Sequence, residues 1–589
     1  MYFDFSVPIP KITGKIFLTK RKNGQCYVQF LTGRQYKKEA RYTVNTKVII
    51  GKRCDDDPTQ MFPNERYFEF FPDTPIPEER PASKRSSCLS VGAYIAIKKV
   101  IAEYQLDTMM RRHFGDDAGL LLDLATYMIV CEDNAGQHYP DYAYRHPLFT
   151  NDMRLYSDSK ISRLFQQVTK DKILEFLDDW NTGRDRRQRI YVSYDSTNKQ
   201  CQAGDIDIVE PGAAKEKAKK GLPIFNLGVA YDKTNQIPLF YEQYPGSITD
   251  ISQFKCFVDK VLAYGYRHLG FVLDRGYFSQ ENIEYMDQKR FQFVLMVKGC
   301  KSLVSSFIES RRGTFEDNRE CVIGLHRAYG TTIQAPLYSG DRMRFFHLYF
   351  SPMKMAGERE KLEADIEKMA LLLKQSEGTS MTFAAPYTTY FDLHYDKDGT
   401  FLFAREKNDA ITRALRLCGY FCIVTSEKMT AQDAYMLYKG RDASEKLFAA
   451  DKTFLGSKSE RVHSNEATAT KIFVEFVGLI IRNRIYNLLK NQMLRLKVKK
   501  NYLTVPTAIK QLEMIELVRR NKELYRLDHA ITKNQRLILQ AFGISEDEVK
   551  REVATITKAL SGAAQDAAVN QQEEDEEDGE DDCFTGCED

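Results

Sequence analysis

Apolar positions recur every three to four residues through VGAYIAIKKVIAEY (91–104), LLLDLATYMIV (120–130) and DKILEFLDDW (171–180). That spacing gathers them on one face of a helix and predicts a helical domain over 88–182. Upstream the period shortens to two. KIFLTKR, QCYVQFL and TKVII, broken by Asn-Gly and Thr-Gly turns, predict a small β-rich N-terminal domain over 1–75. The run PDTPIPEERPASKRSS (72–87), rich in Pro and Ser, reads as the boundary between them.

A different pattern begins at Arg189. RIYVSYD (189–195) is a strand of β-branched and aromatic residues that ends in an acid. IFNLGVAYDKTNQIPLFYEQYPG (224–246) reads as a hairpin turning at Lys233–Gln236, and SQFKCFVDKVLAYGY (252–266) as an amphipathic helix. HLGFVLD (268–274) is an apolar strand, again ending in an acid, and FQFVLMVKG (291–299) is another strand. Three strands, a helix, a strand, a helix and a strand make the order of a ribonuclease-H-like α/β core, with 189–299 as its first part. Residues 300–425 read as a β-rich insertion, with strands FFHLYFS, TTYFDLHY, GTFLFA and GYFCIVTS and one charged helix, EREKLEADIEKMALLLKQ. The core resumes over 426–500 with a helix that carries candidate chemistry. A helical region (501–562) and a tail (563–589) follow.

Charge changes the picture. The formal net charge is only +3, but the last nineteen residues hold eleven acids and no base. The remaining body has 85 bases against 71 acids, a charge of +14. A basic body calls for a polyanionic partner. The tail has the composition of a disordered, solubilising segment, or of a mimic that competes with DNA for the basic surface. Twelve cysteines occur without a C-x-x-C pair or zinc-finger spacing, which predicts reduced thiols. No run of eighteen apolar residues and no secretory pattern is found, so the expectation is a cytoplasmic protein with no membrane partner.

Three acids then stand out. Asp195 and Asp274 close their apolar strands, where α/β sheets gather ligand-binding residues. Either alone reads equally as a turn or cap residue. In YKGRDASEKLFAADK (438–452), Tyr438, Arg441, Glu445 and Lys452 fall on a helical stripe about 60° wide at roughly 100° per residue. An exposed salt-bridged helix gives the same stripe, because Arg441 and Glu445 are an i,i+4 pair. Clustered carboxylates repel unless cations join them, and two Mg²⁺ ions suit such a set in phosphoryl displacement. No Walker loop, HExxH or GxSxG motif competes for the chemistry.

YDSTN (194–198), LDRGYFSQENIEYM (273–286) and Y-x2-R-x3-E-x6-K together resemble the bacterial insertion-sequence DDE transposases of the Y-R-E-K signature group (insertion sequence family four type). The last motif matches in full from Tyr438 to Lys452, and the resemblance spans about 190–545. It implies Asp195, Asp274 and Glu445 as catalytic metal ligands for two Mg²⁺ ions, with Mn²⁺ able to substitute. It implies that Tyr438, Arg441 and Lys452 grip DNA phosphates. It also implies a homodimer that pairs double-stranded transposon ends with target DNA, in a bacterial, nucleoid-associated setting. Arg275 reads as a phosphate contact or a core ion pair. Lys160 and Arg163, in SDSKISRLFQQV (157–168), read as a DNA-reading helix or as an ordinary capped helix. Lys219 and Lys220, in AAKEKAKKG (213–221), read as backbone contacts or as a solvated loop. The single tryptophan, Trp180, lies outside the interrupting region, so a hairpin-forming base flip is not expected of it. A ribonuclease-H-like nuclease without strand transfer, and a catalytically inactive DNA-binding derivative, are the competing readings.

Overall fold

The computed structural model describes residues 3, 5–20, 25–37, 42–54, 57–74, 85–203, 206–213, 220–298, 301–441, 446–448, 450–456, 459–498, 502–519 and 524–560. The acidic tail and Glu445 lie outside the described residues, as does Lys219. The chain divides into two units, Met1–Lys84 and Arg85–Asp589.

The first unit is an antiparallel five-stranded sheet in the order Val7–Pro8, Gln60–Pro63, Tyr42–Arg53, Cys26–Lys37, Ile16–Lys20. Val7, Val28, Ile50, Met61 and Tyr67 form its core. The period-two reading of KIFLTKR, QCYVQFL and TKVII falls on these strands.

In the second unit, β1 (Ile190–Cys201), β2 (Lys220–Asp232) and β3 (Ile237–Pro245) form an antiparallel meander. Helix α1 (Asp250–Ala263) returns the chain to β4 (Leu269–Leu273), parallel to β1. Thr249 caps α1 by accepting from the Ser252 N–H. Phe254, Phe257, Val258 and Val261 follow at helical spacing and are all fully buried. Helix α2 (Gln280–Gln288) then leads to β5 (Gln292–Met296), parallel to β4. The resulting order β3-β2-β1-β4-β5 is consistent with a ribonuclease-H-like core.

The sheet does not stop there. β6 (Ala328–Pro336), β7 (Met343–Phe350) and β8 (Tyr420–Thr425) continue it, with β8 antiparallel to β5 and β7 beside β8. Thus the strands expected in a separate insertion partly extend the core sheet. Alternation identifies a strand but carries no information about its partner. The rest of 300–425 holds helices at Lys301–Arg311, Pro352–Gln375, Ala385–Tyr390 and Asn408–Leu417, beside the hairpin Phe391–Tyr395/Phe401–Glu406. Ile366, Leu373, Phe383, Phe391 and Phe401 form a separate small core there.

Helix α3 (Ala431–Lys439) precedes the long helix α4 (Asn465–Leu496). From Ala467 to Arg482 every residue of α4 is buried. It packs against Gly92–Glu103, Ala118–Cys131, Asp158–Gln167, Lys170–Thr182 and β3. The C-terminal region, expected to be helical, also contributes Glu516–Val518 and Arg526–Leu527 to a three-stranded sheet with Cys88–Ser90. Among the described residues no helix is long and apolar enough to cross a membrane.

Candidate active site

Asp195 was expected to end its strand, yet β1 runs on to Cys201. The reason is its two neighbours. On one side β2 keeps pairing, from Asp195 opposite Val229 to Gln200 opposite Ile224. On the other side β4 stops at Leu273, opposite Tyr194. Asp274 is the next residue, so the parallel register sets it beside Asp195, one strand spacing away. The opening at Asp195 is therefore made by the end of β4 rather than the end of β1. Behind it, Tyr194 is fully buried, stacks on Phe257 at 3.9 Å and donates to Glu242 Oε2 at 3.2 Å. Gly228 on β2 faces this ring, and a Cβ there would collide with it.

Asp274 starts the short 3-10 turn Arg275–Tyr277 without capping it by its side chain. Its carboxylate is instead engaged by Tyr438, whose hydroxyl donates to Oδ1 at 3.0 Å and lies 3.6 Å from Met296 Sδ. Burial, followed by the Asp274 charge, pushes the Tyr438 hydroxyl well above its ordinary pKa, so it stays a donor. Arg441 Nη1 lies 3.6 Å from Asp195 Oδ2 and 3.8 Å from Asp274 Oδ2. Its guanidinium is 5.5 Å from the Tyr438 ring centroid. One cation therefore sits between two carboxylates whose mutual repulsion it offsets.

Tyr438 and Arg441 reach the acids without one continuous α-helix. Helix α3 ends at Lys439, and Lys452 lies in a π-helical turn, Ala450–Phe454. The helical stripe assumed a uniform 100° per residue through 438–452, and the break at Gly440 removes that premise. Lys233, from the β2–β3 turn, donates to the Leu437 carbonyl, one of the carbonyls that a helix end leaves without an internal partner. A Cβ on Gly440 would run into the same Lys233 side chain.

The structure thus brings together Asp195, Asp274, Tyr438 and Arg441. Lys452 is half-buried in its turn. Arg275 is exposed, which removes the reading of a core ion pair. Lys220 opens β2. Lys160 is half-buried and Arg163 exposed on the helix Asp158–Gln167, which Ser157 caps by accepting from the Lys160 N–H at 3.3 Å. Its Ile161, Leu164 and Phe165 are buried. Trp180 is fully buried, and its Nε1 donates to the Pro238 carbonyl at 3.0 Å.

A divalent cation fits the chemistry of the donor set. Two carboxylates converge from adjacent strand positions, with side chains 18% and 33% exposed for Asp195 and Asp274. Hard cations take such oxygens and share them with phosphate. Among the described residues no three Asp, Glu, His or Cys side chains gather as a metal site.

One group of charges was not read from the sequence. Lys199, also on β1, is fully buried, with Nζ 3.0 Å from Asp451, 3.1 Å from Glu460 and 2.5 Å from Glu475. Lys471 approaches Glu460 at 3.5 Å. Burial raises the Glu475 carboxyl, while Lys199 and Lys471 hold Glu460 below its ordinary value. The available signal was a lysine inside a strand whose same-face neighbours, Thr197 and Cys201, are uncharged.

Solved structures similar to the chain include a piggyBac transposase synaptic complex with hairpin DNA, at 8% identity over 76% of this chain and 84% of that one, with a TM-score of 0.30. The Mos1 transposase paired-end complex with left transposon end is similar at 10% identity over 39% of this chain and 65% of that one, TM-score 0.13. Likeness at these scores is too slight to support a conclusion. No curated protein matches. Residues 192–481 match the family model described as Transposase DDE domain. The matched span opens three residues before Asp195, runs through Asp274, Tyr438, Arg441 and Lys452 into α4, and supports a DDE transposase.

Proposed function

We propose that the protein is a transposase of the Y-R-E-K group that cleaves transposon ends and joins their 3′-OH groups to target DNA. The observation that carries this reading is the adjacency of Asp195 and Asp274, with Arg441 Nη1 within 4 Å of both. Bound there with Glu445 as third ligand, two Mg²⁺ or Mn²⁺ ions would supply a polarised phosphate and an activated attacking oxygen.

The remaining work falls to the chain's own residues. Tyr438 fixes the rotation of the Asp274 carboxylate through its hydrogen bond. Arg441 compensates the two acids before DNA arrives and then offers its planar fork to the scissile strand's phosphate. Lys452 adds a point charge on the same strand. Arg275, Lys219 and Lys220 contact backbone phosphates farther along, and Lys160 and Arg163 belong to the surface that reads the element's ends. The two ends are held by a homodimer in the bacterial cytoplasm, on nucleoid DNA.

The test is strand transfer in vitro with Mg²⁺, using DNA that carries the element's own ends. Wild type is expected to cut and join, while Asp195→Asn and Glu445→Ala bind the ends and do neither. Cutting that never proceeds to joining would assign a nuclease instead. Binding without either reaction in wild type would assign a DNA-binding derivative.

A further inference from the structure

Side chains on a strand alternate between faces, so Asp195, Thr197, Lys199 and Cys201 share one face of β1. Lys199 lies about 13 Å along that face from Asp195, at roughly 3.3 Å per residue. Its ammonium, fully removed from water, reaches three separate segments of the chain. Glu460 belongs to the short strand Ser459–Glu460, which pairs in parallel with Gln200 and Cys201. Glu475 and Lys471 are one turn apart on α4. Asp451 sits in the π-helical turn, immediately before Lys452.

Two features make this more than packing. Desolvating two ammoniums and their carboxylates is costly, and apolar residues of the same volume often stabilise a core as well or better. A charge cluster kept in such a place is best attested as a device that fixes register. Single π-helical turns are rare and are frequently found at functional sites. Here the turn and the cluster meet at one residue, Asp451, which is wholly buried and whose neighbour in sequence is a candidate phosphate contact.

We propose that Lys199 and Asp451 are positioning residues: their buried ion pair locks the π-helical turn to the strand that bears Asp195, and so fixes Lys452 relative to the acid pair. The inference rests on the transposase reading. It adds a mechanical connection from β1 to the last member of the Y-R-E-K motif. Glu460 and Glu475 hold the other side of the ammonium, so that Lys199 cannot follow Asp451 outward.

The test is a double-mutant cycle on single-turnover cleavage of end DNA at saturating protein, with Asp451→Asn, Lys452→Ala and the pair together. Asp451→Asn keeps the side-chain shape and removes one charge. It is expected to slow cleavage at least tenfold while the affinity for end DNA changes less than twofold. In the Lys452→Ala background it is expected to add nothing, because the group it positions is gone. Rates that multiply in the double variant, or an Asp451→Asn protein as fast as wild type, would overturn the proposal. If Asp451→Asn does not fold, Asp451→Glu replaces it in the same cycle, since the longer acid retains the ion pair but displaces the turn. A wild-type protein that never cuts overturns the transposase reading and this inference with it. Cutting by wild type with an additive cycle overturns the inference alone.

Discussion

The Tyr438 hydroxyl donates a 3.0 Å hydrogen bond to Asp274, across 164 residues of sequence. Its partner is one of the two acids that the sheet register sets side by side, so this bond determines how one half of the site faces the other. Tyr438→Phe keeps the buried ring and removes only the donor. Single-turnover cleavage should fall about tenfold to a hundredfold, the worth of a hydrogen bond to a charged acceptor, roughly 1.5–3 kcal/mol. Melting temperature should move by only a few degrees, and a variant as fast as wild type would show the bond to be incidental.

Arg441 stands 3.6 Å from one acid and 3.8 Å from the other. Arg441→Gln removes the compensating charge and leaves the carboxylates facing each other. Without DNA, Mn²⁺ should then bind several-fold more tightly, as read by calorimetry. With DNA, cleavage should fall, because the phosphate loses its planar partner. Opposite signs in the two assays distinguish this role from simple misfolding, which would lower both.

Gly440 lies against Lys233, which also donates to the Leu437 carbonyl. Its φ of −62° is ordinary, so strain does not explain the glycine. Gly440→Ala should cost about 1 kcal/mol by displacing the lysine from its hydrogen bond. In a Lys233→Ala background the same change should cost almost nothing. Denaturant melts of the four proteins measure the coupling, and additive costs would disprove the contact.

Trp180 is the single tryptophan and is fully buried, with Arg184 over its ring at 3.7 Å and Tyr104 at its edge. Its fluorescence should be blue-shifted, shielded from acrylamide and indifferent to end DNA. A shift on DNA binding would contradict a purely structural tryptophan.

Burial pushes the hydroxyls of Tyr194, Tyr241, Tyr349 and Tyr438 above the ordinary tyrosine value. An unfolded tyrosine titrates near about 10. Below that pH their contribution is fully present. As pH rises past it, the unfolded chain releases protons that the native one keeps, so stability is lost. Unfolding free energy should therefore drop above about pH 10, and less steeply in Tyr438→Phe.

The core was legible because its elements are local. The strands of β1 to β5 and the helix between β3 and β4 announce themselves by period, and their order alone points to the sheet. What alternation cannot express is pairing. The two acids were readable as strand-end residues, but Asp195 owes its opening to where β4 stops, a property of Leu273 and Tyr194 together. The run 438–452 reads as one helix only while every residue turns by the same angle, and Lys233, two hundred residues upstream, supplies the contact at its break. Lys199 was hidden for the opposite reason. A lysine in a strand suggests a solvent-facing position, and only three carboxylates from distant segments make it an interior residue.

The register of β1 and β4 also sets a clock. Both acids leave the ribosome long before the groups that complete their surroundings, since Tyr438 follows Asp274 by 164 residues. At about 5–20 residues per second, that interval is roughly 8–30 s of synthesis. β5 likewise waits for β8, its antiparallel neighbour, since Val294 pairs with Thr425. A nascent chain interrupted anywhere in between has its acid pair but lacks the groups that arrange it. Premature termination there would release a chain whose Asp274 has no Tyr438 hydroxyl to accept from.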